Sequence, residues 1–309
     1  MSDGPANARE EPGDWVLIGA PTSAGAHHAG QDRAPAALRA AGLVERLRAA
    51  GVGITDGGDL PGAVFAVDHL HPRARNLASV VQVAREVAQA VESVARSGSR
   101  ALVVGGDCTI TLGVVAGLRR VSSAVGLVYV DADADLGDLS GDASGILDAA
   151  GIWHLLGHGE PELAGLAGQP PLLDPARLVL LGLDPREIGD VGREFLSGAG
   201  VRYMEGPRFM ADPSAAAAEA LAVLRSASQS IVVHFDVDVV DSGDLPLGNF
   251  PHYNSGVTLT TVSSCLRVLL ADHPSPAALV LTEVNPSYDA DGSQLDRYVE
   301  ALVSAVAGG

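Results

Sequence analysis

Gly126-Leu-Val-Tyr-Val-Asp131-Ala-Asp133-Ala-Asp135 is the stretch on which the fold turns. The apolar, β-branched run up to Val130 reads as a buried strand, and three carboxylates follow it at every second position. In an extended segment, side chains at i, i+2 and i+4 lie on one face. Three like charges there repel unless something positive sits among them. A divalent ion with hard oxygen ligands, such as manganese, magnesium or calcium, answers that repulsion. A solvated acidic loop between strand and helix answers it equally well, so the rest of the chain has to decide.

Working outward, seven more apolar runs read as strands: Trp15–Ala20, Val52–Asp56, Arg100–Val104, Leu178–Gly182, Val201–Tyr203, Ser230–Phe235 and Ala277–Thr282. Between them, helical spacing of apolar residues covers Ala34–Ala50, Asn76–Ser97, Leu112–Arg119, Leu147–Leu156, Ser214–Ala227, Leu259–Leu270 and Leu295–Val306. Alternating helices and continuously apolar strands predict a parallel sheet covered on both faces. A polar tail over residues 1–14 is expected to precede one α/β domain over 15–309, since no linker or repeat divides the remainder.

The 309 residues suffice for one large α/β domain, and nearly half of them are apolar, which excludes a disordered chain. A formal net charge of −18 argues against non-specific binding to nucleic acid or anionic membranes and suits a cationic small molecule. Two cysteines, Cys108 and Cys265, make no disulfide framework and fit a reducing cytoplasm. No signal segment or bilayer-length apolar run is evident, so a soluble cytoplasmic protein is expected.

Ligands of open α/β sheets bind beyond the carboxyl ends of the strands. Four predicted strand ends carry polar residues: Asp107-Cys108, Asp131/Asp133/Asp135, Asp236/Asp238/Asp241 and Glu283. One Asp-x-Asp is a weak signal, shared with sugar transferases that hold a metal-bound nucleotide. Two such groups on separate buried strands, in loops without Lys or Arg, favour a site for two metals.

In these same residues the chain resembles the ureohydrolase (arginase/agmatinase) family. Gly105-Gly-Asp-Cys-Thr109 is similar to Gly-Gly-Asp-His-Ser, Asp131-Ala-Asp-Ala-Asp135 to Asp-Ala-His-x-Asp, and His234-Phe-Asp-Val-Asp-Val-Val-Asp241 to Ser-x-Asp-x-Asp-x-x-Asp. Glu283-Val-Asn-Pro286 matches Glu-Val-Asn-Pro, and Ala34–Leu43 and Gly57–Pro61 also resemble family segments. The resemblance implies a three-layer α/β/α sandwich with a mostly parallel, eight-stranded sheet, assembled as a trimer or hexamer. It implies two Mn²⁺ ions bridged by hydroxide, hydrolysing a C–N bond of a guanidino substrate that is arginine-like, agmatine-like or a hydroxyguanidine. By that likeness Asp131 and Asp236 bridge both ions, Asp135 serves the first and Asp238 the second, and Cys108 and Asp133 stand at the two remaining ligand positions. Asp135 would also accept a hydrogen bond from the hydroxide. Glu283 would face the guanidinium, and Ser144 would touch the substrate's head group.

Both metal-binding histidines of the pattern are replaced, by Cys108 and Asp133. Asp148 stands where arginases keep a proton-shuttling His, and Gly137 where they keep a head-group Asn, which speaks against plain arginine. A thiolate and a carboxylate in place of two neutral imidazoles add two negative charges, weakening the ions as Lewis acids and raising the pKa of bound water. Such ligands also suit Zn²⁺ or Fe²⁺ at the first position. An arginase-fold protein that has lost catalysis and plays a structural or regulatory part is the alternative. Of the other histidines, His27 and His28 are expected in an exposed loop, His154 packed on a helix and His158 on the surface. His234, two residues before Asp236, would face the ligands as a supporting or replacement donor. Cys265 is placed in the core. Gly105-Gly106 lacks the spacing of a dinucleotide fingerprint.

Overall fold

The apolar runs form eight strands: β1 (Trp15–Gly19), β2 (Ile54–Asp59), β3 (Arg100–Val104), β4 (Val125–Val130), β5 (Leu178–Leu183), β6 (Arg202–Glu205), β7 (Ser230–Asp236) and β8 (Ala278–Thr282). The computed structural model describes residues 14–137, 144–271 and 276–308; most of the predicted tail lies outside them. All strand pairings are parallel, in the order β2-β1-β3-β8-β7-β4-β5-β6. The expected sheet is therefore met and is parallel throughout.

Successive side chains of a strand point to opposite faces, and the two cores follow that alternation. Leu102, Val104, Val128 and Val130 pack under helices Ala34–Ala40, Leu43–Ala49, Pro213–Arg225, Leu259–Leu270 and Ser293–Ala307. Ala101, Val103, Leu127 and Tyr129 pack under Leu77–Arg96, Ile110–Arg119, Gly151–Leu155 and Gly189–Ala199. Helices Leu77–Arg96 and Ile110–Arg119 approach so closely that a Cβ at Gly113 or Gly117 would lie 2.5 Å from the carbonyl oxygen of Ala84 or Ala88. This contact seats the segment that carries Cys108.

Three local readings are corrected. The single helix expected over Ala34–Ala50 is broken by a left-handed turn at Gly42 (φ 82°). The helix expected over Leu147–Leu156 begins as a 3-10 turn, Asp148–Ala150, before Gly151–Leu155. Helices Pro161–Ala164, Gly189–Ala199 and Gly206–Ala211 were not anticipated, because glycine and proline interrupt their apolar spacing. No helix among the described residues is long and apolar enough to cross a membrane.

Candidate metal centre

The four central strands, β3-β8-β7-β4, end side by side. Neighbouring strands lie about 4.8 Å apart, so residues at their carboxyl ends fall within ligand distance of one another. Backbone bonds fix these ends: the Asp131 N–H donates to Leu181 O (3.0 Å) and the Glu283 N–H to Gly106 O (2.9 Å).

The Asp-x-Asp spacing has a local cause. Asp131 Oδ1 accepts the N–H of Asp133 (2.7 Å), and Asp236 Oδ1 accepts the N–H of Asp238 (2.9 Å). Each first aspartate thereby closes a turn with Oδ1 and turns Oδ2 towards its neighbours; Asp236 Oδ2 also accepts the Thr282 hydroxyl at 3.1 Å. Asp131 and Asp236 join Cys108 Sγ and His234 in a buried group whose four donor atoms all lie within 4.8 Å of one another. His234 stands opposite Tyr129 in the β4–β7 register, its ring stacked on the phenol at 3.8 Å. Its Nδ1 is 2.8 Å from Thr111 Oγ1, and its Nε2 is 4.0 Å from Oδ2 of both Asp131 and Asp236. Burial pushes its pKa down to about 3, leaving a neutral imidazole, the form a metal binds. Cys108 Sγ lies 3.7 Å from Nε2 and donates to Asp236 Oδ2 at 2.6 Å. Burial, then the charges of Asp236 and its neighbours, raise that thiol well above its ordinary pKa.

A second group comprises Asp133, Asp238 and His252. His252 comes from the loop after β7 and is buried; its Nε2 is 3.4 Å from Asp133 Oδ2 and its Nδ1 is 3.5 Å from Asp184 Oδ2. Neither His252 Nε2 nor Asp238 Oδ1 has a hydrogen-bond partner. A third group joins Cys108, Asp148 and Glu283. Asp148 accepts the Cys108 N–H at 2.7 Å, and Glu283 Oε2 accepts Gln31 Nε2 at 2.8 Å while Oε1 is unpartnered.

The three aspartates after β4 do not share one face. The strand ends at Val130, and Asp135 has φ 43°, so the period of two ends with it. Asp131 enters the first group and Asp133 the second, while Asp135 accepts the Tyr129 hydroxyl and belongs to neither. Glu283 also has positive φ, 62°. Such backbone costs about 1–3 kcal/mol per residue and gathers at functional sites; here both strained residues face one cavity.

That cavity, of about 440 Å³, is lined by Cys108, Asp131, Asp133, Asp135, Asp148, Asp236, Asp238 and Glu283, so eight of the nine predicted site residues meet. Ser144 is exposed, accepts the Ile146 N–H and does not line it. Leu136, Ile188, Val191 and Phe250 form an apolar wall, with Glu187 and Asn249 beside it. His27, expected in an exposed loop, lines the cavity too; His28 is exposed as expected. His154 is packed on its helix, His158 is exposed against Trp153, and Cys265 is in the core. His252, Gln31, Tyr129 and Asp184 escaped the sequence reading.

Burial first, and repulsion from neighbouring carboxylates second, raise Asp131, Asp148, Asp238 and Glu283 well above the usual carboxylate range. No Lys or Arg stands among the described lining residues to offset them. Orphaned donor atoms, a neutral imidazole, a thiol and uncompensated carboxylates together suit divalent cations.

Comparison with known proteins agrees with this geometry. The family described as Arginase family matches residues 13–308. An arginase of Bacillus caldovelox is 29% identical over 279 residues, covering 88% of this chain and 91% of the relative. Human arginase-1 is 28% identical, covering 93% and 90%. The solved structure of the Bacillus caldovelox arginase superposes with a TM-score of 0.86 over 95% of this chain and 98% of its own. A Trypanosoma cruzi formiminoglutamase, 19% identical with a TM-score of 0.74, covering 98% of this chain and 95% of its own, shares the fold.

Proposed function

Because the chain belongs to the arginase family, we propose that it hydrolyses a C–N bond of a cationic guanidino compound with the help of two divalent ions, Mn²⁺ foremost. The observation that carries this reading is the cavity, a floor of buried carboxylates and one thiol without a Lys or Arg in its lining. Cys108, Asp131 and Asp236, with His234 beside them, would hold one ion, Asp133 and Asp238 would hold the other, and Asp131 and Asp236 would contribute to both. When bound, the pair supplies Lewis acidity that lowers the pKa of water at neutral pH.

The chain's own groups account for the rest. Water oxygen bonds to the guanidinium carbon, the bond from that carbon to the chain nitrogen breaks, and urea and an amine leave. Glu283 Oε1, buried and unpartnered, takes a guanidinium N–H while Gln31 fixes the other oxygen. Asp148, beside Glu283, is buried as a carboxyl must be to carry a proton near neutrality, and it supplies the proton to the departing nitrogen. Asp135, lining the same cavity, accepts from the attacking water. The apolar wall of Leu136, Ile188, Val191 and Phe250 suits an aliphatic chain, and no lining cation is present to meet a carboxylate. We therefore favour an agmatine-like or hydroxyguanidine substrate over arginine. Two free buried cysteines fit a reducing cytoplasm, and homo-oligomeric assembly belongs to the same family-based reading.

The test is urea or hydroxyurea release from agmatine, arginine and Nω-hydroxyarginine by protein stripped and reloaded with Mn²⁺. Glu283→Gln should raise KM at least about tenfold, as loss of one charge-assisted contact predicts, and leave metal content unchanged. One contact favours a second reading: the Cys108 thiol already satisfies Asp236 at 2.6 Å, as in a family member that has given up catalysis for a structural or regulatory role. Full metal content with no turnover of any of the three compounds would support it; well under one ion per chain would support it more strongly.

A further inference from the structure

The resembled pattern places an imidazole where this chain has Asp133, yet an imidazole stands at that place from elsewhere. His252 lies 14 residues beyond Asp238, in the loop between β7 and helix Leu259–Leu270. The loop is pinned: the Ser242 N–H donates to His252 O at 2.8 Å, and the His252 N–H donates to Ser242 Oγ at 3.1 Å. The ring is 2% exposed. Its Nε2 is aimed among Asp133 and Asp238 with no hydrogen-bond partner, and Asp238 Oδ1 is orphaned in the same place. Nε2 reaches Asp133 Oδ2 only at 3.4 Å, a long contact without hydrogen-bond geometry. Beside it the buried Asp238 Oδ1 has no partner at all, an arrangement that is costly unless a third party binds these atoms.

The far side of the ring supplies the second observation. Nδ1 faces Asp184 Oδ2 at 3.5 Å, and Asp184 is completely buried and gripped by Arg186 at 2.9 Å. Metal-binding histidines commonly have their other ring nitrogen directed at a carboxylate, which fixes the tautomer and raises ligand basicity. We propose that His252 is a ligand of the second divalent ion, with Asp184 as its positioning residue, so that the loop after β7 returns the imidazole which position 133 lacks. This rests on the metal-dependent reading above. It also removes part of the charge problem posed by Asp133, because the second ion then gains a neutral donor beside its carboxylates.

Equilibrium dialysis of Mn²⁺ against the full-length, metal-stripped protein tests it. Wild type should bind two ions. His252→Ala and His252→Gln should keep one at wild-type affinity and bind the other at least about tenfold more weakly. Asp184→Asn, which leaves the imidazole in place, should weaken that same ion by about 10–100-fold. His234→Ala combined with His27→Ala, which leaves His252 as the one imidazole at the site among the described residues, should still show imidazole nitrogen coupling in the Mn²⁺ spin-echo spectrum. The Asp184 and His234 variants decide the matter should the position-252 variants fail to fold. Two ions bound with unchanged affinity in the 252 variants would overturn this proposal alone. So would a mere fall in the Tm of the stripped protein, the mark of an imidazolium that only bridges Asp133 and Asp184. A wild-type protein that binds no Mn²⁺ would overturn the metal-dependent reading and this proposal together.

Discussion

The two donor groups in the cavity are built differently. Asp131, His234 and Asp236 sit on or directly after β4 and β7, and Cys108 in the turn between β3 and helix Ile110–Arg119, each nearly sealed from solvent. Asp133, Asp238 and His252 come from turns and a long loop, and the Asp133 side chain is 30% exposed. The sealed group has three members set by the β4–β7 register and the fourth, Cys108, by the turn before helix Ile110–Arg119, and it allows little change in volume. The outer group has room, and its donors are fixed by turns and by a clamp from Asp184. Burial therefore constrains every member of the first group, while the second, whose Asp238 and His252 are buried too, can give way at Asp133.

The largest effect expected from breaking this comparison is at Asp236. Asp236→Asn should weaken Mn²⁺ binding by more than the 10–100-fold typical of mutating a partner outside the ligand set. It should also raise the Tm of the stripped protein, because it removes a buried charge that repels its neighbours. A lower stripped Tm with normal metal binding would break the claim that the inner group is a cation site. Next, Mn²⁺ at a hundred times its Kd should stabilise the protein by about 2.7 kcal/mol per site, read as a Tm rise that chelator reverses; no shift would remove both sites. Smaller again is the contrast between two histidine restorations. Cys108→His must fit a ring where His234 Nε2 already lies 3.7 Å from the sulfur, and overpacking should cost about 1–3 kcal/mol. Asp133→His, at the open group, should be tolerated within about 1 kcal/mol; equal urea midpoints for the two variants would erase the distinction.

The smallest effect lies far from both groups and serves as a reference. Arg39 holds Asp56 at 2.8 Å at the edge strand β2 and also bonds Asp59. The Arg39 hydrogen bonds keep the Asp56 carboxyl below its ordinary pKa. A lowered folded-state pKa gives stability that is present above the unfolded value, near pH 4, and is lost as pH falls through the folded one. Arg39→Ala should cost about 0.2–1 kcal/mol at pH 7 and progressively less towards pH 3 in denaturant titrations. A cost that grows with acid would reverse the assignment.

How much of this was legible beforehand follows the same division. Buried parallel strands announce themselves through continuous apolar runs, and the aspartates at their ends declare themselves by spacing that local turns enforce. The inner group was accordingly readable, including His234 through its place two residues before Asp236. The outer group was not, because His252 lies in an irregular loop without periodicity and Asp184 is an ordinary Asp-Pro after β5. A search for histidines in the acidic loop after Asp241 would have found it. The expectation that Asp131, Asp133 and Asp135 share one face is corrected for a different reason: the every-second-residue rule was carried past Val130, where the strand stops. Ser144 likewise falls outside the cavity lining, a distinction of loop path that residue type does not record.

The strand order has a consequence for how the protein is made. The last two strands, β7 and β8, insert between β3 and β4. Until they arrive, the segments bearing Cys108 and Asp131 belong to strands separated by the width of two missing neighbours, roughly 14 Å from β3 to β4. A nascent chain released from the ribosome short of Thr282 would carry most of the acidic residues yet no place to gather them. On the metal-dependent proposal, acquisition of the ions would thus be a late event in biogenesis, one that certifies that the strands have been threaded.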